Sequence, residues 1–159
     1  MGSQSKANLA YIAGFLDGDG SLILQLKKRS DTKAGLRFMC TICFYQDSRH
    51  FKPLLWIRNE LKIGYLSHRN DGMSELRING YKRVREILLA LKPFIRFKRG
   101  QAEALFTASD ILGRKSYNRL SVSELHELVD CVLKIQFSNY VTKTKKTKNE
   151  LLEALGLTP

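Results

Sequence analysis

Cysteine is scarce in this sequence, and its count is odd. Cys40, Cys43 and Cys131 are the only three, which excludes a closed disulfide framework. Cys40 and Cys43 have CxxC spacing, but they lie in a run that reads as a strand. Side chains three apart on a strand face opposite ways, no second close pair exists, and the three histidines are scattered, so no zinc site is expected. No charged segment followed by an apolar one opens the chain, and Lys6 stands where an acylated Met1-Gly2 terminus needs Ser or Thr. The apolar run Leu9 to Leu16 is far too short to cross a bilayer. Acidic residues are few: 15 against 27 Lys and Arg, for a net charge of +12 and a pI near 9.8. That balance favours a partner rich in phosphate. With 159 residues, 43% hydrophobic and 9% aromatic, the expectation is one domain over residues 1–159 with an adequate core and a basic tail from about 138.

What is present concentrates in Ile12-Ala-Gly-Phe-Leu-Asp-Gly-Asp-Gly20. Ala10, Gly14 and Gly18 recur every four residues and line one helical face, where a second backbone can approach closely. Leu9, Ile12, Phe15 and Leu16 form the opposing apolar stripe. The helix is expected to stop at Asp17-Gly18-Asp19-Gly20, which places Asp19 just beyond its C-terminal end. A carboxylate is disfavoured there by the helix dipole unless a cation is bound. A calcium loop counted from Asp17 is excluded, because its glycine and glutamate positions hold Leu22 and Lys28.

The rest of the chain reads as an alternation of elements. Helix 1 covers about Ser5 to Asp17, and strands follow at Ser21–Arg29 and Leu36–Gln46. Leu22, Leu24, Leu26, Phe38, Cys40, Ile42 and Phe44 fall on one side of these strands, and polar and basic residues fall on the other. Ser48 is expected to cap a helix running to Lys62, with Pro53 as an irregularity. A second hairpin surrounds Asn70-Asp71-Gly72. Helices over Tyr81–Leu91, Lys98–Leu112 and Val122–Phe137 complete the map, the last behind a Ser121/Glu124 capping box. The order implies an α+β fold with helices packed on one face of an antiparallel sheet. There is no internal repeat and no second copy of the 12–20 segment.

That segment resembles the signature of the LAGLIDADG homing endonucleases, with Ala13, Gly14, Asp17, Asp19 and Gly20 matching outright. The single-motif, homodimeric branch is similar over most of the chain, and the resemblance implies a saddle of antiparallel sheet over the DNA major groove. One copy of Asp19 cannot cut two strands symmetrically. Pairing two helices about a two-fold axis, with Ala10, Ala13, Gly14 and Asp17 at the interface, would bring two Asp19 carboxylates together around divalent ions. Mg²⁺ suits few carboxylates and many waters; Mn²⁺ is expected to substitute, and Ca²⁺ to support binding but not cleavage.

By the same resemblance Asp19 and the Gly18 carbonyl hold metal, while Gln46 and Lys98 complete the pocket by ordering water and stabilising charge. The branch usually has an arginine where this chain has His50; either His50 or the preceding Arg49 could supply the basic contact. Strand alternation together with the resemblance assigns Ile23, Gln25, Lys27, Arg29, Arg37, Met39, Cys43, Tyr45, Arg69, Glu75 and Arg77 to DNA reading. Lys143, Lys145 and Lys146 belong to a basic tail expected to clamp the phosphate backbone.

The implied activity is Mg²⁺-dependent, site-specific cleavage of double-stranded DNA at a long pseudo-palindrome. No membrane and no small-molecule substrate are expected. The implied location is inside the cell, in the chloroplast or mitochondrion of an alga or other microbial eukaryote. An intron maturase and an inert DNA-binding regulator are the alternatives on the same scaffold.

Overall fold

The computed structural model describes residues 5–139 and 145–158. Alternating side chains build a four-stranded antiparallel sheet from β1 (Gly20–Lys28), β2 (Leu36–Asp47), β3 (Tyr65–His68) and β4 (Met73–Asn79), in the order β1-β2-β4-β3. Leu22, Leu24, Leu26, Phe38, Ile42, Phe44, Leu76 and Ile78 are all buried on one face. Each such side chain stabilises the fold by about 1.5–3 kcal/mol. Against this face lie α1 (Lys6–Asp19), α2 (Lys52–Leu61), α3 (Tyr81–Leu91), α4 (Arg99–Arg114) and α5 (Val122–Ser138). Small residues Ala102, Ala104, Ala108 and Ser109 are buried on α4, where it packs on α3 and α5. Among the described residues, no buried side-chain nitrogen or oxygen lacks a hydrogen-bond partner.

Three expectations are corrected. First, α1 does not stop at Asp17 but runs through Asp19, so Asp19 is its last residue rather than the one beyond it. Gly18 stays helical, and Gly20 ends the helix in extended backbone while its N–H still donates to the Leu16 carbonyl. Second, Ser48 is not a helix cap. Asp47 accepts the Arg49 N–H at 2.8 Å and starts a single 3₁₀ turn, Ser48–His50. Pro53 then falls in the first turn of α2, where a missing N–H costs nothing. Third, a short helix, α6 (Lys148–Ala154), lies in the basic tail. Thr147 and Glu150 form its capping box, and Leu151 and Leu152 are buried.

Gly20 is required for space rather than for its dihedrals. A Cβ there would sit 2.8 Å from both Cα and O of Leu16, and neither backbone atom can yield. The α1–β1 junction is therefore close enough to exclude any side chain. Replacing Gly20 by Ala is expected to cost about 1–3 kcal/mol, read as a fall of several degrees in Tm by calorimetry.

All three cysteines are buried. Burial pushes the Cys40 thiol up to about 12, with Cys131 adding to the effect. It pushes Cys131 up to about 11, helped by Glu127 and Asp130. Thiols raised in this way stay protonated and unreactive through neutral pH. Native protein at pH 8 is expected to show no fast labelling by an aromatic disulfide reagent, and denatured protein to label at all three; one fast native thiol would refute this.

Candidate active site and nucleic-acid interface

The chemistry gathers at the C-terminal end of α1. Helix geometry leaves the last four carbonyls without intrahelical donors and gives that end a partial negative charge. Lys98 answers it: its Nζ donates to the carbonyls of Leu16 at 2.9 Å and Asp17 at 2.6 Å. Burial lowers the Lys98 pKa, while the charges of Asp17 and Asp19 oppose that shift. The backbone around Lys98 is fixed by the Asp17 carboxylate, which accepts N–H groups from Arg96 at 2.7 Å, Phe97 at 3.2 Å and Lys98 at 3.0 Å. Phe97, in the middle of that turn, is 87% exposed.

Asp19 is exposed on the last turn, beside the start of β1. Gly20 pairs with Phe44, so Gln46 lies just past that pair at the end of β2, where its Oε1 accepts the Asp47 N–H at 2.8 Å. The 3₁₀ turn that follows carries Arg49 and His50. Arg49 is tied to Asp47 through both nitrogens, at 3.0 and 2.8 Å, and holds that carboxyl well below the usual carboxylate range. His50, on the same turn, is exposed and makes no such pair among the described residues.

Among the described residues no cluster of three or more His, Cys, Asp or Glu could enclose a metal. One chain offers instead the Asp19 carboxylate and the Gly18 carbonyl, two hard oxygens at a helix end already negative. This fits a cation that takes one or two carboxylates and completes its shell with water and phosphate oxygens. It does not fit a structural zinc site, which closes four ligands drawn from Cys and His. A second donor set would come from a second α1, and the helix has room for one: nothing lies within 4 Å of a Cβ built on Gly14 or Gly18, and Ala10 is exposed. Ala13 leaves that interface set, while Asp17 stays partly exposed with its carboxylate engaged inside the chain. Ala13 is wholly buried against the core of its own chain, because its helical position points to the sheet. The Asp17 carboxylate is occupied by the 96–98 turn.

The other sheet face carries the expected readers in register. Gln25 pairs with Met39 and Lys27 with Arg37; Ile23 pairs with Thr41, which pairs in turn with Asn79, and Tyr45 pairs with Glu75, which pairs in turn with Ser67. Gln25, Lys27 and Arg37 are exposed. Cys43 is a correction: it faces this side but is fully buried beneath its neighbours, so it has no surface to offer a base. Tyr45, pushed up to about 12 by burial and by Cys43, is a neutral phenol. Three reader arginines are paired with an acid two positions away: Arg29 with Asp31 at 2.7 Å, Arg69 with Asp71 at 2.6 Å and Arg77 with Glu75 at 3.1 Å. Arg29 itself lies one residue past β1.

Sequence reasoning missed Tyr65, 70% exposed, and Ser67 and Asn79, which share this face. Extending the alternation through both strands of the second hairpin would have found them.

The tail is split. Lys143 lies outside the described residues. Lys145 is exposed, with its Nζ 5.8 Å from the Phe137 ring centroid. Lys146 is engaged within the chain: Gln136 brackets its backbone at 3.0 and 3.1 Å, and its Nζ donates to the Leu26 carbonyl at 3.2 Å on the free edge of β1. A groove of about 1150 Å³ runs from Asp17 and Lys98 along Ser21–Lys27 to the end of α5, joining the helix end to the reading face.

The geometry has close parallels among known proteins. DNA endonuclease I-CvuI of Chlorella vulgaris is 38% identical over 100 residues, covering 62% of this chain and 61% of that protein, so the chain aligns with less than two thirds of its length. DNA endonuclease I-CreI of Chlamydomonas reinhardtii is 28% identical over 151 residues, covering 95% and 90%. Among solved structures, I-CvuI in complex with its target in 2 mM Ca superposes with a TM-score of 0.83 at 25% identity, over 97% of this chain and 98% of that one. The archaeal intron-encoded I-Vdi141I bound to DNA shares the fold with a TM-score of 0.79 at 19% identity, over 94% and 95%. The family model for the LAGLIDADG endonuclease matches residues 12–96, more than half of the chain. That match takes in most of α1, the whole sheet and the chain up to the turn that carries Lys98, and by it this protein belongs to the LAGLIDADG endonuclease family.

Proposed function

We propose that this chain is a site-specific, double-strand DNA homing endonuclease that works as a homodimer with divalent cations, residues 1–159 acting as one domain. The observation that carries the reading is the junction of α1 and β1. There the Lys98 ammonium caps the Leu16 and Asp17 carbonyls, within one turn of the exposed Asp19 at the helix end, and Gly18 and Lys98 line one end of a groove that continues along Gln25 and Lys27 of β1. Both curated relatives are DNA endonucleases, and I-CvuI has been crystallised with DNA in the presence of Ca and of Mg.

Asp19 and the Gly18 carbonyl are the residues that would hold a divalent cation, Mg²⁺ with Mn²⁺ as its substitute, and Ca²⁺ for binding alone. When bound, such an ion supplies charge neutralisation at the scissile phosphate and a more acidic water. Lys98 brings a second positive charge to the same place, half-buried and therefore strongly felt by a phosphate oxygen. Gln46 can order water from the end of β2, and His50 can supply the exposed basic contact beside it. Two copies joined through the bare Ala10–Gly14–Gly18 face would present two such sites, one for each strand. Gln25, Lys27, Arg37, Met39, Tyr45 and Arg77 read base edges, and Arg29 and Arg69 act at the margins.

No helix among the described residues is long and apolar enough to cross a membrane. Relatives from Chlorella and Chlamydomonas favour an organellar, and first a chloroplast, setting.

I-CvuI held an I-CreI target uncleaved in 2 mM Mg, so the test must find this chain's own site. Wild type and Asp19→Asn would be incubated with a random duplex library in Mg²⁺ and in Ca²⁺, and the ends sequenced. A long, nearly palindromic site is expected to be cut by wild type in Mg²⁺ only, with Asp19→Asn retaining binding but losing at least about 10³-fold in rate. DNA bound but never cut by wild type would overturn the nuclease assignment. Gly14→Leu is expected to leave the fold intact, since nothing in the chain fills that space, yet to shift sedimentation from dimer to monomer. A dimer that survives this change would place the interface elsewhere.

A further inference from the structure

We propose that Asp17 is a positioning residue for Lys98, acting on cleavage through that lysine and not through metal or DNA. The inference rests on the nuclease reading above. Asp17 grips Lys98 at both ends across 81 positions of sequence: its carboxylate holds the Lys98 backbone N–H, and its own carbonyl receives the Lys98 ammonium. Both carboxylate oxygens are in use, Oδ2 with Arg96 and Phe97 and Oδ1 with Lys98. Charge-assisted bonds of this kind are the stronger and shorter class. They also offset the unfavourable placement of a carboxylate at the negative end of a helix. The turn they secure connects α3 to α4, and its Phe97 has no cover within the chain. Without the Asp17 carboxylate the turn keeps its attachments through buried Ile95 and through the Lys98 carbonyl, which accepts the Ala102 N–H at 2.9 Å, but loses all three bonds to its own N–H groups.

Misplacement of about 1 Å in a group near the chemistry can cost about 10²-fold in rate. The experiment is a double-mutant cycle on single-turnover cleavage of the selected site, using Asp17→Ala, Asp17→Asn, Lys98→Gln and the combined Asp17→Ala/Lys98→Gln protein. Each is also assayed for DNA affinity in Ca²⁺ and for Tm. Asp17→Ala is expected to slow cleavage about 10- to 100-fold with affinity nearly unchanged. Asp17→Asn, which keeps one acceptor oxygen, should lose less. In the Lys98→Gln background, Asp17→Ala should change nothing further, because effects acting through one group are not additive.

An equal loss in both backgrounds, or no loss in the presence of Lys98, overturns the inference. If Lys98→Gln cuts too slowly to follow, the split decides. A loss confined to the rate constant and graded from Ala to Asn supports the proposal, and an equal loss of affinity overturns it. If Asp17→Ala does not fold, Asp17→Asn is carried through the same cycle. Wild-type cleavage is the control: failure there removes the nuclease reading itself, whereas cutting by wild type and both Asp17 variants alike removes this inference alone.

Discussion

A negative helix end held by main-chain N–H groups on one side and an ammonium on the other is the constraint from which the rest of this molecule is built. Two aspartates stand on the last turn of α1, where the dipole opposes both. One is stabilised by three N–H groups of a distant turn. The other is left exposed with only a nearby lysine charge to favour it. That asymmetry separates them structurally: Asp17 closes the chain on itself, and the Asp19 carboxylate stays open to solvent. Because Gly20 admits no side chain, the helix passes into β1 with no slack. The position of Asp19 relative to the reading face is therefore set by covalent connection.

The sheet has two occupations, and its register serves both. On the helix side, buried leucines and isoleucines anchor α1 to α5. On the other, the same pairing brings Gln25 beside Met39 and Lys27 beside Arg37. An open edge would invite association with another strand. Here the free edge of β1 meets Lys146 at the Leu26 carbonyl, and the buried Leu151 and Leu152 of α6 hold the returning chain in place. The basic tail thus includes a structural member, not only a charge.

Much of this was legible in the sequence because it follows from spacing. The small-residue face of α1, the parity of β1 and β2 and the Ser121/Glu124 cap are local patterns. The end of α1 was misread by two residues because glycine was taken as a stop at Gly18. The close contact falls instead at Gly20, where a Cβ would meet the backbone of Leu16 four residues back, so the second glycine and not the first marks the end. The burial of Cys43 could not be read either, since alternation gives a side chain its face but not the height of its neighbours. The Asp17 grip on residues 96–98 spans a separation that no local pattern reports. Only α6 had a visible signal, Thr147 and Glu150 ahead of two leucines, hidden within a run of lysines.

Four arginines of the reading face and its margins share a habit that the exposed Arg37 lacks. Arg29, Arg49, Arg69 and Arg77 each rest on a carboxylate two positions away. Such surface pairs are worth little in water, so a phosphate or a guanine edge can take the place of the carboxylate at small cost. Each pair is internally neutral, so the net charge of +12 is carried entirely by residues outside these four pairs. Displacing an acid frees a guanidinium fork for bidentate contact but leaves the net charge as it was, so these four pairs govern the geometry of local contacts and not the long-range field of the protein.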